Sequence, residues 1–297
     1  MISIIIPVKN RNQELKRAID SALKQTVQDS FEIIIVDDKS EMDINSIVGN
    51  YNDPRLVYIL NDKDISNANV CRNLGFNLAK GDYIAMLDSD DEWLPNHLEQ
   101  KIKFLEENNC EGVFGSYYID DTVDKKDVIS RSFKKGEVMI NYLLSDGRAA
   151  TPTQVYKTYA AKSIIWDEAL LRHQDFDFSV RFAEKYSFLP SNEVTCIVHW
   201  VKGEKRLEDL DSQIRFIKKH KDKILPRLYN DYHSKIYLSL RKRKDVGAEF
   251  IDYFKKQSSS YIHDMTLNEF LALYKEEKGK IGRSFLRFKY LVKTLFN

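Results

Sequence analysis

The segment IAMLDSDDEW, residues 84–93, joins an apolar run to a dense group of carboxylates. Four acidic residues fall within five positions: Asp88, Asp90, Asp91 and Glu92. Like charges at this spacing repel each other by about 1 kcal/mol per pair even in water. The apolar run predicts a buried strand, so the acids stand where a sheet ends, and a positively charged partner is expected beside them.

Similar apolar runs precede this segment and alternate with stretches of helical periodicity. The predicted strands are residues 2–8, 31–38, 56–60 and 82–87, and the predicted helices are residues 12–27, 67–81 (closing on Gly81) and 95–108. Continuously apolar strands are typical of parallel sheets that helices cover on both faces. The first third of the chain therefore predicts an α/β fold with a mostly parallel, Rossmann-like sheet.

The alternation becomes less regular beyond residue 112. Residues 112–120 and 194–201 are predicted strands, and the charged segment 121–127 between them is a predicted turn. These strands turn the parallel sheet into a mixed one. From about residue 207 the pattern is helical and basic, so we predict a domain over residues 1–205 and a helical C-terminal region over 206–297.

Composition excludes several classes of protein. The 297-residue chain is 43% apolar and 31% charged, as in soluble globular proteins, and its net charge of +1 gives no reason to expect a nucleic-acid partner. Its three cysteines form no CxxC pair, which favours core thiols and a reducing cytosol over disulfides or zinc. No apolar run is long enough to cross a membrane, and the N-terminal MISIIIPV is predicted to be the first strand.

Polar residues follow each predicted parallel strand, at the edge where open α/β sheets bind ligands. No GxGxxG motif follows the first strand, so a diphosphate there needs another source of positive charge, such as Mg²⁺ or Mn²⁺ held by carboxylates. In an extended segment Asp88 and Asp90 would lie on one side, about 7 Å apart, one facing sugar hydroxyls and the other the metal. The alternatives are that the acids cap the helix near Pro95, and that VDDKS (36–40) is a solvated turn.

Four blocks of this sequence resemble those of family 2 glycosyltransferases, which have the GT-A fold, and in particular the bacterial enzymes of surface-polysaccharide (O-antigen or capsule) synthesis. The blocks are ISIIIPVKN, IIIVDDKS, NANVCRNLGFNLAKGDYIAMLDSDDEW and RHQDFDFSVRF, and they cover roughly residues 1–205. The resemblance implies a nucleotide-binding set of residues: Pro7, Val8, Asn10, Asp37, Asp38, Arg72, Asp88 and Ser89. Within this set it implies that Asp38, with Asp37 beside it, contacts uracil and that Asp88 contacts the ribose or sugar. It also implies that Asp90 binds Mn²⁺ or Mg²⁺.

The last block bears on catalysis. The resemblance implies that Asp175 is the catalytic base, although Gln174 stands where the family usually has glutamate, and Asp177 is the alternative. His199 is a candidate third metal ligand or else a strand-end histidine bonded to backbone. Three aromatic residues of the following helix and two tryptophans are interpreted as core packing rather than sugar contacts: Phe178, Phe182, Tyr186, Trp93 and Trp200. The loop with Lys202, Lys205 and Arg206 is either a cover for the leaving diphosphate or a solvated turn.

Together these features predict an inverting, metal-dependent transferase that moves a hexose from a UDP-sugar to a hydroxyl of a lipid-linked oligosaccharide. Residues 278–297 hold six basic residues and no acidic one, and their amphipathic pattern predicts either a helix on the inner membrane surface or one packed on the protein. The predicted location is therefore cytoplasmic and peripheral to the membrane. The alternatives are a nucleotidyltransferase, an aspartyl-phosphate phosphatase and a non-catalytic sugar-nucleotide binding protein.

Overall fold

The computed structural model of the chain describes residues 1–120, 125–200, 209–258 and Thr266. The chain forms two compact units, residues 1–219 and residues 220–297. The domain boundary predicted after residue 205 falls within 201–208, outside the described residues, as does the basic loop with Lys202, Lys205 and Arg206.

The first unit contains all the strands of the described ranges and most of their helices. The strands are β1 (Ile2–Val8), β2 (Phe31–Asp37), β3 (Leu56–Leu60), β4 (Tyr83–Met86), β5 (Glu92–Trp93), β6 (Gly112–Asp120), β7 (Lys125–Val128), β8 (Val155–Lys157) and β9 (Phe188–His199). Its helices are α1 (Gln13–Leu23), α2 (Ile44–Gly49), α3 (Ala68–Leu78), α4 (His97–Glu107), α5 (Met139–Ser145), α6 (Thr158–Lys162), α7 (Gln174–Lys185) and α8 (Leu210–Lys219), with a short 3₁₀ helix at Thr151–Thr153.

The strands form one mixed sheet in the order β3-β2-β1-β4-β8-β6-β9-β5, with β7 beside β6. The first four strands in this order are parallel, and β8 joins them antiparallel to both β4 and β6. Strand β9 runs parallel to β6, and β5 pairs antiparallel with β9. The predicted α/β class and the change from a parallel to a mixed sheet are both confirmed.

Strand β1 shows why the apolar runs are continuous. All seven of its residues are buried, because helices cover both faces of the sheet. Ile4 and Ile6 belong to the core cluster that includes Leu15 and Ile19 of α1, whereas Ile5 lies against Gly75 of α3 on the other face. Successive side chains of a strand point to opposite faces, so each face of β1 has its own helix.

Two local predictions were wrong. Helix α3 ends at Leu78, so Gly81 does not close it; a Cβ on Gly81 would lie 2.7 Å from the backbone oxygen of Met1, and close approach to β1 is what requires glycine. Residues 125–127 of the predicted charged turn belong to β7, which pairs with β6, while residues 121–124 lie outside the described residues. The three cysteines, Cys71, Cys110 and Cys196, are buried and unbonded, as the core-thiol interpretation predicts.

The second unit is helical over its described part. It contains a 3₁₀ helix (Lys221–Lys223), α9 (Pro226–Leu240) and α10 (Ala248–Gln257). The two long helices pack through His233 and Phe254, whose ring centroids are 5.7 Å apart. No helix of the described residues is long and apolar enough to cross a bilayer. The amphipathic segment 278–297 lies outside the described residues.

The substitution Gly81→Ala is expected to lower the free energy of unfolding by about 1–3 kcal/mol, because the new methyl group meets backbone atoms of β1 that cannot move aside. The matched control is Gly49→Ala at the end of α2, where no atom lies within 4 Å of the new Cβ. There alanine is expected to be neutral or to stabilise the protein by up to about 1 kcal/mol. Urea denaturation of both variants measures the difference, and equal stabilities would contradict the assigned close approach.

Candidate active site

The parallel register brings the ends of three strands to one edge of the sheet. Val8 of β1 lies opposite Asp37 of β2, and the Leu87 N–H just after β4 donates to the carbonyl of Ile5 at 3.1 Å. The loops that follow β1, β2 and β4 therefore meet at the carboxyl edge, where open α/β sheets bind ligands. Most of the residues predicted to form a site lie in or next to these loops.

The pair Asp37 and Asp38 is buried and held by hydrogen bonds. Asp37 accepts from the Ser40 N–H and the Tyr58 hydroxyl, both at 2.9 Å, and burial together with this contact raises the pKa of Tyr58 to about 12. Asp38 accepts from Asn61 Nδ2 and Ser66 Oγ, also at 2.9 Å each. The alternative of a solvated turn is therefore wrong.

The loop after β1 is joined to the loop after β2. Pro7 and Val8 are buried in the strand, and Asn10 follows with a positive φ of 51°. The Asn10 N–H donates to Ser40 Oγ at 2.9 Å, and the Asn10 side-chain oxygen accepts from the Glu41 N–H at 2.8 Å. The left-handed conformation, which asparagine tolerates better than most residues, turns the backbone toward the neighbouring loop.

The acids after β4 form a turn and not the extended segment that was predicted. The Asp91 N–H donates to the carbonyl of Asp88 at 3.0 Å, so Asp88 and Asp90 are not successive residues on one side of a strand. Asp88 pairs with Arg72 and Asp90 with Arg11, each at 2.8 Å. We call residues 88–91 the acid turn. Arginines supply at least part of the positive charge that the sequence led us to expect there.

Arg72 is the most firmly held of these cations. It is 4% exposed, donates to Asn69 Oδ1 at 3.2 Å, and lies over the Trp166 ring with 4.6 Å between the guanidinium carbon and the ring centroid. Hydrogen bonding and cation–π contact together fix a guanidinium in one orientation. Arg72 thus faces Asp88 at the site edge, beside the residues predicted to bind the nucleotide.

Asp91 and Ser89 are the two buried residues of the acid turn. The Asp91 carboxylate accepts from the His199 N–H at 3.0 Å, and burial raises its pKa well above the usual range, with the negative charges of Asp88 and Asp90 raising it further. His199 Nε2 lies 3.0 Å from a Glu92 carboxylate oxygen. Asn96, at the start of α4, makes no side-chain capping bond, and Asp91 and Glu92 both bond to His199. The capping alternative is therefore not supported.

Asp175 lies in the first turn of α7, two residues after His173, which has a left-handed backbone (φ 60°). The Phe176 N–H donates to its carboxylate at 3.0 Å. Burial raises the pKa of Asp175, the charge of Asp88 raises it further, and Arg72 opposes the shift. The charges of Arg72 and Asp88 therefore act on Asp175, although the three residues come from distant parts of the sequence.

Asp177 has a different environment. Its side chain is 0% exposed and pairs with Arg181 at 2.7 Å and with Lys219 at 2.9 Å. A carboxylate that is fully buried and shared between two cations cannot accept a proton from a substrate hydroxyl unless the pairs break. The structure therefore favours Asp175 over the alternative.

Helix α8 braces the segment that leads into α7, a feature that sequence reasoning missed. Lys219 joins Asp177 to Asp167 (2.8 Å), and Phe216 stacks on His173 with ring centroids 4.9 Å apart. The Leu171 N–H donates to Ser212 Oγ at 2.9 Å. The sequence predicted only a helical, basic pattern from about residue 207, and nothing in it identified these partners.

The aromatic residues divide between core and surface. Phe178 and Phe182 are buried, as predicted, and Tyr186 is half-buried. Trp93 is buried, donates to the Pro152 carbonyl at 2.6 Å and stacks on His97. Trp200 is 44% exposed, so its assignment to the core was wrong; it follows the end of β9.

The donor chemistry of the acid turn fits a divalent cation. Among the described residues no three His, Cys, Asp or Glu side chains converge as a formed metal site, since Asp88 and Asp90 face arginines and His199 faces Glu92. Carboxylate oxygens are nevertheless the ligands that Mg²⁺ and Mn²⁺ prefer, and the acid turn supplies three carboxylates within four residues.

Comparison with known proteins identifies the family. Residues 3–169 match the model described as glycosyl transferase family 2, which is more than half of the chain. The chain is 33% identical over 243 residues to a putative colanic acid biosynthesis glycosyl transferase of Escherichia coli K12, covering 75% of this chain and 82% of that protein. The chain belongs to glycosyltransferase family 2. It is a glycosyltransferase, and its resemblance to bacterial surface-polysaccharide enzymes is confirmed.

Two further relatives extend the comparison. The chain is 34% identical over 142 residues to an E. coli protein named UDP-Glc:alpha-D-GlcNAc-diphosphoundecaprenol beta-1,3-glucosyltransferase, covering 48% of this chain and 54% of that one. A crystal structure of S. aureus TarS in complex with UDP-GlcNAc superposes with a TM-score of 0.68 at 18% identity, covering 94% of this chain and 87% of that one. The predicted GT-A fold is confirmed, and the family assignment selects glycosyl transfer over the nucleotidyltransferase and phosphatase alternatives.

The substitution Lys219→Met is expected to lower the free energy of unfolding by about 1–3 kcal/mol, because buried Asp177 loses the cation partner that lies 2.9 Å away on α8. Lys103→Met is the matched control, since Lys103 forms an exposed ion pair with Glu107 on α4, worth about 0.5 kcal/mol or less. Chemical denaturation at neutral pH gives both values. A Lys219 variant as stable as the control would refute the bracing role.

Proposed function

We propose that the protein is an inverting, metal-dependent glycosyltransferase that moves a hexose from a UDP-sugar to a hydroxyl of a lipid-linked saccharide in surface-polysaccharide synthesis. The observation that carries the proposal is the acid turn with its Arg72–Asp88 pair at the carboxyl edge of the sheet, together with Asp175, whose pKa is shifted by the charges of both Arg72 and Asp88. A carboxylate beside a nucleotide-binding edge is the arrangement that base-assisted glycosyl transfer requires.

The donor site is assigned to the loops after β1, β2 and β4. Asp38, with Asp37 beside it, is assigned to the uracil, and Pro7, Val8 and Asn10 to the wall of the nucleotide pocket. Both carboxylates are already oriented by hydrogen bonds, so a base edge would meet them without further ordering. Asp88 and Ser89 are assigned to the ribose or sugar. UDP as the carrier is supported by the relative whose name specifies UDP-Glc and by the TarS complex with UDP-GlcNAc.

The metal is assigned to Asp90, with His199 as a candidate further ligand and Mn²⁺ or Mg²⁺ as the ion. Bound there, the ion would supply the positive charge that stabilises the departing diphosphate. His199 would first have to exchange its Glu92 partner. A protein of similar fold, a mannosyltransferase of Pyrobaculum calidifontis, has a solved structure in complex with GDP-Man and Mn²⁺ (TM-score 0.55, 13% identity, covering all of this chain and 81% of that one), which supports metal use within this fold.

Asp175 is assigned as the base. The acceptor hydroxyl oxygen attacks the anomeric carbon while the bond from that carbon to the diphosphate oxygen breaks, and the hydroxyl proton passes to the Asp175 carboxylate. One displacement inverts the anomeric configuration. Helix α8 holds the start of α7 in place, which keeps the carboxylate at a set distance from the donor edge.

The acceptor is assigned to the membrane surface, which makes the protein cytoplasmic and peripheral on the inner face. Support comes from the relative named for a diphosphoundecaprenol-linked sugar and from the six basic residues without an acid at positions 278–297. Each cation near an anionic lipid surface contributes about 1 kcal/mol to binding.

The variant Asp175→Asn is expected to lose transfer by a factor of about 10² to 10⁴, because asparagine cannot take the acceptor proton, while UDP affinity in Mn²⁺ stays near that of the wild type. The measurement is UDP release from UDP-glucose, UDP-galactose and their N-acetyl forms with a lipid-linked acceptor.

The pH dependence of the wild type gives a further prediction. Because burial raises the pKa of Asp175, the apparent pKa of the acid limb in the wild-type kcat/KM profile should lie above the ordinary aspartate value of about 4.

Two outcomes would count against the assignment. Transfer retained by Asp175→Asn would move the base to another residue. No UDP release by the wild type with any of these donors, with or without acceptor, would favour a non-catalytic sugar-nucleotide binding protein.

The variant Asp90→Ala is expected to lose the metal-dependent part of UDP affinity, because Asp90 is the carboxylate assigned to hold the divalent ion that would neutralise the phosphates. Calorimetric titration of UDP in Mn²⁺ and in chelator measures this part directly. Asp29→Ala, an exposed acid before β2 at the opposite edge of the sheet, is the control and should behave as the wild type. An unchanged Mn²⁺ dependence in the Asp90 variant would remove the ligand assignment.

A further inference from the structure

Two arginines from the N-terminal part of the chain contact the acid turn, and the proposed mechanism assigns neither of them a role. Arg11, in the loop after β1, pairs with an Asp90 carboxylate oxygen at 2.8 Å, and Arg17 of α1 donates to the Asp90 backbone carbonyl at 2.5 Å. The two contacts differ in kind. Arg17 holds the backbone of the turn, whereas Arg11 occupies the carboxylate that the proposed function assigns to the metal.

Arg11 is the displaceable member of the group. Its side chain is 33% exposed and that of Asp90 is 34% exposed, so the pair is half-buried and partly open to solvent. Arg72, by contrast, is fixed by Asn69 and Trp166 and is almost fully buried. Within the described ranges Asp90 is the one ion-pair partner of the Arg11 guanidinium. Exposed ion pairs contribute little net free energy, so this pair can open at small cost.

A divalent cation and a guanidinium compete for the same carboxylate. When a cation takes the Asp90 oxygen, Arg11 loses its counter-ion and is left beside a cation, which repels it. A diphosphate bound to that cation would offer the nearest new negative charge. Guanidinium groups bind phosphate oxygens through paired, charge-assisted hydrogen bonds, so the exchange replaces a weak exposed pair with a stronger one.

We propose that Arg11 is an exchangeable counter-ion of the site: it neutralises Asp90 in the metal-free protein and moves to the diphosphate of the donor nucleotide when the cation binds. This inference rests on the proposed function and adds a diphosphate-binding residue to it. In the metal-free protein, the repulsion between the carboxylates of the acid turn is reduced because Arg11 pairs with Asp90 and Arg72 pairs with Asp88.

The proposal predicts opposite changes in two affinities of one variant. Without nucleotide, Arg11→Met should bind Mn²⁺ more tightly than the wild type, by about two- to fivefold, because the competitor of the ion is gone. With saturating Mn²⁺, the same variant should bind UDP more weakly, by about tenfold or more, because a charged hydrogen-bond donor to the phosphates is missing. A residue that merely holds the fold together would weaken both.

The experiment uses the full-length protein. Free Mn²⁺ is followed by electron paramagnetic resonance without nucleotide, and UDP binding is followed by calorimetry at saturating Mn²⁺. Arg11→Lys keeps a positive charge without the paired donor geometry, so it should retain most of the competition with Mn²⁺ but only part of the UDP affinity. Lys24→Met, at the exposed end of α1, is the matched control and should change neither value. Thermal unfolding of each variant verifies that it is folded.

The outcomes separate this inference from the proposed function. Suppose that the wild type binds both Mn²⁺ and UDP. If the two affinities of Arg11→Met are then both unchanged or both reduced, the exchange is overturned and the proposed function stands. A wild-type protein that binds Mn²⁺ but no UDP contradicts the proposed function and, with it, the move to the diphosphate. A wild type that binds no Mn²⁺ overturns both. Tighter Mn²⁺ binding with weaker UDP binding supports the exchange.

Discussion

The structure of the site depends on holding several carboxylates close together at the end of β4. Their mutual repulsion is unfavourable, and it is strongest at buried Asp91, whose pKa is raised by burial and by Asp88 and Asp90. Arginines from two directions limit this cost: Arg72 from α3 reaches Asp88, and Arg11 from the loop after β1 reaches Asp90. The order of the sheet makes this possible, because β1 is the direct neighbour of β4 and α3 crosses the face of β1. An acid-rich turn elsewhere on the surface would lack these partners.

The first turn of α7 shows how two carboxylates separated by one residue acquire different roles. Asp177 points into the protein, where Arg181 and Lys219 neutralise it and tie α7 to α8. Asp175 instead lies within the electrostatic influence of Asp88 and Arg72. Residues two apart on a helix do not share a face, so one can anchor the helix while the other is presented to the site. The anchoring residue thereby supports the position of the residue assigned to catalysis.

Much of the fold was predictable from residue pattern. The strands β1 to β4 agree with their predicted ranges to within one residue, because strands buried on both faces must be continuously apolar and these runs are bounded by polar residues. The errors have physical causes. Three of the four residues of β7 are charged, yet they form a strand because pairing with β6 satisfies their backbone hydrogen bonds. Trp200 follows an apolar strand yet is exposed, because burial ends where the strand leaves the sheet.

The sequence by itself determined the class of the fold, the family, and the gathering of polar residues after each parallel strand, since these depend on local periodicity and on the order of the segments. It could not determine which charges meet. The acid turn, the pairing of Arg11 with Asp90, and the bracing of α7 by α8 join residues that are far apart in the chain, and they arise only when sheet order and helix packing bring those residues together. Local propensity contains no information about such partners, because electrostatic and hydrogen-bond energies depend on distance in space and not on separation in sequence.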